Sequence, residues 1–314
     1  RTVNGNAVII FITFSRAQVG HHWGRTSAQV SKRSQNKPEA KPWKLLLWTA
    51  IAGLIFGLIG FGEIAEDTLR IGRNSLHWHK ASGDIVLVKI DNQSLRKVGR
   101  WPWPRRYHGQ LAERLSEAGA KRILFDVTFV GGTTAEDDQA FARAVHRSGR
   151  VILPTRTISG PRGWTTQETT PLPDLAKVAA GLGTISWRYN FRQVVTDVPY
   201  TTQANGRIIP SFASLLSGQQ GAINQTFTPD YSVDPRSIPS VSAADVFDNS
   251  LDPKLIEGKD VIIGATAEEM GDQFFVPGTG RMGGAYVHII AAETLKRGQP
   301  VGLGWIPLFL APLA

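Results

Sequence analysis

Six side chains suited to holding a polar ligand are spread over the first half of the sequence: Asp91, Trp101, Trp103, Arg105, Asp126 and Arg156. Trp101 and Trp103 belong to the run RWPWPRR, residues 100–106. Proline restricts the residue before it to extended backbone, so Pro102 and Pro104 make both indoles rigid. A rigid aromatic wall supplies contact area, and guanidinium and carboxylate groups beside it orient polar atoms. That is binding chemistry: no nucleophile–base pair accompanies these residues. The competing reading is that the tryptophans cap the core and the aspartates cap helices or turns.

Other motifs carry less. Ser94-Leu95-Arg96-Lys97 spells S-x-x-K, but the chain contains no K-T-G, which argues against a penicilloyl-serine enzyme. Residues 278–283 spell G-x-G-x-x-G ahead of a helix. About eleven residues separate that run from the preceding strand, and no second βαβ half follows, so it reads as a flexible turn. His77 and His79 alternate as strand residues do. G-x-S-x-G, Walker and H-E-x-x-H motifs are absent. With no cysteine, disulfides, thiolate catalysis and cysteine-bound zinc or iron–sulfur centres are excluded. No catalytic residue, metal or cofactor is expected.

The candidate residues fall on an α/β pattern. DIVLVKID (84–91) predicts a strand, YHGQLAERLSEAG (107–119) a helix and KRILFDVTF (121–129) a second strand. AEDDQAFARAVHRSG (135–149) predicts a helix with acids in its first turn and Gly149 after its end, and RVILPTR (150–156) a third strand. This order implies parallel strands with right-handed crossovers and helices on both faces. The middle is less regular. Residues 164–175 read as a loop, and 181–203 as two antiparallel strands followed by a short helix, PSFASLLSGQ. SVSAADVFD (240–248) opens a helix at Ser242, GKDVIIGATA (258–267) is another buried strand, and 282–298 a last helix facing the core with Ala285, Ile289, Ala292 and Leu295. In open sheets of this kind ligands bind beyond the carboxyl ends of the strands. Asp91, Asp126 and Arg156 sit at those ends, and the RWPWPRR run follows the first of them.

Charge is uneven. Of the formal +9, residues 1–44 carry eight basic side chains and one acid, Glu39, whereas the remaining 270 residues hold 27 basic and 25 acidic groups. The body is thus almost neutral. Its arginines do not interleave with aromatics, so no nucleic-acid partner is expected. The basic tail ends at LLLWTAIAGLIFGLIGF (45–61), seventeen residues without a charge. At ~1.5 Å per residue this helix reaches ~25 Å, the short end of a transmembrane span. Lys41 and Lys44 suit a cytoplasmic flank and Trp43 and Trp48 an interface belt. VGLGWIPLFLAPLA (301–314) reads as the start of a second span. The expected organisation is a basic cytoplasmic tail (1–44), a transmembrane helix (45–61), an extracytoplasmic domain (64–300) and a second span. The fold class is then α/β, with a mainly parallel sheet, helices on both faces, an antiparallel addition in the middle and flanking transmembrane helices.

The pieces also resemble a known family. DIVLVKIDNQSL, RWPWPRRYHGQLAERLSEAGAKRILFDVTF, AEDDQAFARAV, RVILP, IPSVSAADV, and GKDVIIGATA followed by GDQFFVPGTGRMGGAYVHIIAAETL are similar, in this order, to the type-two CHASE domain. CHASE stands for a cyclase/histidine-kinase-associated extracellular sensory domain of bacteria. The resemblance covers roughly 64–300 and implies a periplasmic sensor that controls a cytoplasmic nucleotide or diguanylate cyclase or a kinase. It supplies no ligand residues. It implies a small-molecule or protein stimulus, a membrane partner, a place in the bacterial inner membrane and a homodimer. A membrane-tethered periplasmic α/β enzyme and a ligand-free dimerisation module are the alternatives. The connections to both expected spans are short. Residues 63–76 continue from the first span, with Ile64, Thr68, Leu69 and Leu76 on one face, and only Gln299 and Pro300 separate the last helix from Val301. Short joints of this kind transmit motion between helices.

Overall fold

The computed structural model describes residues 42–58, 61–159, 165–190 and 193–299. The chain divides into Arg1–Leu45 and Leu46–Ala314, and the elements below, apart from the first turn of α1, belong to the second unit.

Helix α1 (Pro42–Leu58) is apolar along its length, and Leu46, Leu47, Trp48, Leu54 and Ile55 are all exposed. Among the described residues no helix is long and apolar enough to cross a membrane. The span expected at 45–61 is made of most of α1, residues 59 and 60, which lie outside the described residues, and the first residue of α2 (Phe61–Leu76). The run 301–314 also lies outside them. On α2, Thr68, Leu69 and Leu76 of the expected semi-apolar face are exposed, as is Ile71, and Asn74 is buried instead.

The sheet is built from β1 (Ile85–Ile90), then α3 (Asn92–Val98), α4 (Arg105–Glu117), β2 (Arg122–Asp126), α5 (Ala135–Ser148) and β3 (Val151–Ser159). There follow β4 (Thr165–Thr169), α6 (Pro173–Val178), β5 (Gly181–Thr184), β6 (Arg188–Tyr189), β7 (Val195–Pro199), β8 (Thr201–Ala204), β9 (Arg207–Pro210), α7 (Phe212–Ser217) and β10 (Thr226–Phe227). The chain continues through β11 (Ser240–Ser242), α8 (Ala243–Phe247), β12 (Asp260–Ala265), β13 (Gln273–Val276), β14 (Gly280–Gly283) and α9 (Gly284–Arg297). The main sheet runs β11–β1–β12–β2–β3, with β5 also on β3, and these six strands are parallel. Only β4 joins it antiparallel.

Period-two alternation sorts the sheet's side chains between two cores. Ile85, Leu87, Leu124, Ile152 and Ile262 face α7 and α9. Val86, Val88, Ile90, Ile123, Phe125, Val151, Leu153, Val261 and Ile263 face α4, α5, α6 and α8. Strands covered on both faces are near-continuous apolar runs, which is why they were legible. Gly264 is the exception that lets α9 approach: a Cβ there would lie 2.5 Å from the Ala285 Cβ. At the opposite end of the same strands Arg122 donates to both carboxylate oxygens of Asp260, each at 2.7 Å.

Three expectations change. The predicted loop 164–175 contains β4 and the start of α6, because β3 continues beyond its pairing with β2 and its second half takes up Thr165–Thr169. In 181–203, GLGT does not form an antiparallel hairpin; it adds to β3 in parallel as β5, and only Arg188–Tyr189 pairs antiparallel with β7. The expected turn at 278–283 is the end of the β13–β14 hairpin, with Gly278 and Gly280 both at positive φ, and α9 starts after it. The sheet order also departs from chain order, because β12 inserts between β1 and β2.

Candidate functional site

Asp91 terminates β1 and caps α3. Its carboxylate accepts the Ser94 N–H at 3.0 Å, the Ser94 Oγ accepts the Asp91 N–H at 2.9 Å, and the Ser242 hydroxyl donates to Asp91 at 2.8 Å. Asp91 therefore ties the ends of β1 and β11 together. Ser94 of the S-x-x-K run is fully buried in this cap, and Lys97 pairs with Asp248.

The tryptophans pack inward. Trp103 is buried and its indole N–H donates to the Gly99 carbonyl at 3.0 Å, which meets the need of a buried indole for an acceptor. Its ring meets Trp101 edge-on at 5.6 Å and Phe247 at 5.8 Å. Around the same point His108 is surrounded by Trp101, Phe125, Phe129 and Phe141. Burial in this apolar shell, assisted by the charge of Arg105, holds the His108 imidazole down at about 3. Arg105 is buried beside it, donating to Asp138 at 2.8 Å and to the Gly131 carbonyl. It pins the segment that leads into α5.

Asp126 and Arg156 belong to the other face. Both lie in step with the residues that face α9, Asp126 one pleat beyond Leu124 on β2 and Arg156 two pleats beyond Ile152 on β3. Asp126 is buried, with Oδ1 3.6 Å from Nε2 of His288, a residue of α9 that is 0% exposed. Asp272, just before β13, comes to the same place. A Cβ at Gly284 would lie 3.0 Å from Asp272 Oδ2, 3.1 Å from Asp126 Oδ2 and 3.1 Å from Cη2 of Trp187. The two carboxylates thus converge above the first residue of α9, where glycine leaves them room. Neither Oδ2 atom has a hydrogen-bond partner within the protein, nor has either ring nitrogen of His288.

Burial pushes the Asp272 carboxyl up to about 7, the neighbouring Asp126 charge pushes the same way, and the Gly284 N–H and Arg156 oppose them. Aromatic rings close the place: Trp187 stacks at 4.9 Å from His288 and 4.5 Å from Phe274, Phe212 lies 5.4 Å from His288, and the Trp187 indole donates to the Tyr189 hydroxyl at 2.6 Å. Among the described residues no group of three or more His, Asp or Glu is arranged to hold a metal ion. The centre offers acceptors, a proton and aromatic walls.

Of the six sequence candidates, Asp126 and Arg156 share the electrostatics of this centre. Trp101, Trp103 and Arg105 lie together on the opposite face, and Asp91 serves the β1–β11 edge. Asp272, His288, Gly284 and Trp187 were not among them. One signal was present: His288 interrupts the buried stripe of Ala285, Ala292 and Leu295 on the last helix, and a titratable group in such a stripe needs a partner. The family model described as the CHASE2 domain matches residues 45–311. No curated protein and no solved structure matches the chain.

Proposed function

The chain belongs to the CHASE2 domain family, a family of extracellular sensory domains; from that premise we propose that it is the periplasmic sensor region of a bacterial transmembrane receptor. In this reading α1 anchors the domain in the inner membrane, the basic tail stays in the cytoplasm, and a homodimer controls a cytoplasmic cyclase or kinase. The observation that carries the reading is the family match over nearly the whole fold. The open apolar surface of α1, preceded by a tail with seven basic residues and one acid, supports the anchor. The stimulus acts at the carboxyl edge of the sheet, where α9 begins, and α9 carries the change towards the membrane as a shift between two packed states.

Topology gives the test. The chain has no native cysteine, so single cysteines report cleanly. A membrane-impermeant maleimide on intact cells is expected to label the exposed position in Gln139→Cys from outside, and the one in Ser34→Cys only after lysis. External labelling of the Ser34 position would reverse the topology and end the reading.

A further inference from the structure

We propose that the Asp126–Asp272–His288 centre is a recognition site for a primary ammonium group, the charged end of a small amine, which enters in exchange for a proton. The proposal rests on the sensor reading for its biological meaning, and on side-chain geometry for its chemistry. Two carboxylate oxygens converge there without partners, the Oδ2 atoms of Asp126 and Asp272, and the ring nitrogens of His288, 3.6 Å from the other oxygen of Asp126, are unpartnered too. An ammonium group has three donors and no acceptor. A hydroxyl has one donor and a quaternary ammonium none, so neither meets both carboxylate oxygens.

Charge points the same way. The groups acting on Asp272 are Asp126 from β2 and Arg156 from β3, with the Gly284 N–H at the start of α9, and His288 of that helix lies against Asp126. Two carboxylates set against one guanidinium leave one negative charge to be balanced. A proton on Asp272 balances it, and so does one ammonium ion. Buried charge that is paired and hydrogen-bonded is tolerated where unpaired charge is not. His288 is 0% exposed and 3.6 Å from Asp126, and neither of its ring nitrogens has a hydrogen-bond partner within the protein. On binding at pH 6, the protonated Asp272 carboxyl becomes a carboxylate paired with the ammonium group, and its proton passes to the buffer.

The test is calorimetry of the full chain with ethylammonium chloride, and with tetramethylammonium chloride as the control. Ethylammonium is expected to bind, releasing close to one proton at pH 6 and almost none at pH 8.5, read from the dependence of the heat on buffer ionisation. Tetramethylammonium, without donors, is expected not to bind. Asp272→Asn is expected to weaken ethylammonium at least ~tenfold through loss of a charge-assisted bond. Gly284→Ala keeps every polar group but fills the point where the carboxylates converge, and is expected to weaken it too. No binding of ethylammonium to the folded parent, equal binding of tetramethylammonium, or unchanged binding in both variants would each overturn the assignment. A parent whose stability responds to pH but not to ethylammonium would mean that the centre handles only a proton. Failure here with Gln139→Cys labelled from outside leaves the sensor reading standing. Binding here with reversed topology removes the sensor reading and leaves the site.

Discussion

Asp272→Asn is expected to melt higher than the parent at pH 8 and level with it near pH 4. The folded chain holds the Asp272 carboxyl at about 7, against an ordinary value of 3.8. The native state therefore binds more protons than the unfolded chain between those two values, and stability is lost as pH rises through that window. Each unit of difference corresponds to ~1.4 kcal/mol, so the ceiling is roughly 4 kcal/mol. Asparagine has no charge to bury and keeps the shape, so ~2 kcal/mol of that loss is expected to be recovered at pH 8, about 4–8 °C for a fold of this size. Thermal melts at pH 4, 6 and 8 measure it. An identical difference at every pH would show that the Asp272 carboxyl is ordinary.

His108 gives the opposite slope. Its folded value lies at about 3, against an ordinary imidazole value of 6.5. The unfolded chain therefore takes up a proton that the native state refuses, and stability falls as pH drops from about 6.5 towards 3. By pH 5 the loss is ~2 kcal/mol. The two groups offset one another between pH 6.5 and 4, so the parent is expected to be nearly flat across that range. The carboxylates held low by pairing, such as Asp84 with Lys296, add their own loss only at more acid pH. His108→Leu retains an apolar body inside the aromatic shell and removes the titration. It is expected to gain stability as pH falls from 7 to 4, whereas Asp272→Asn loses it. Chemical denaturation of both variants across this range separates the two slopes. Parallel curves for the parent and His108→Leu would contradict the burial of a neutral imidazole.

The same contrast shows what was readable from the residues alone. Ile85–Val88 and Ile123–Phe125 are apolar on both pleats, so the central strands were legible as buried. Asp126 was legible as a strand-end acid because carboxyl ends of parallel strands carry ligands. The order of strands was not, since pairing Val88 with Ile263 is a long-range event that local pattern does not encode. That insertion of β12 beside β2 is what carries Asp272 and His288 to Asp126. In RWPWPRR the prolines stiffen the segment, but the partner of Trp103 was not legible: its buried indole donates to the Gly99 carbonyl. GLGT likewise has too few residues for its own pattern to distinguish a parallel partner from an antiparallel one.

The acidic centre at the head of α9 is expected to govern the placement of α9 relative to α2. Pulsed dipolar distance measurement tests it most directly, with spin labels at Ser75→Cys on α2 and Arg297→Cys on α9, both exposed positions, in the full chain reconstituted in lipid bilayers. Samples at pH 5.5 and 8.5, each with and without ethylammonium, are compared with the same pair in the Asp272→Asn background. A coupled centre gives two distance populations whose ratio moves with pH and with ethylammonium in the parent and stays fixed in Asp272→Asn. One unchanging distribution under all four conditions in the parent would contradict it.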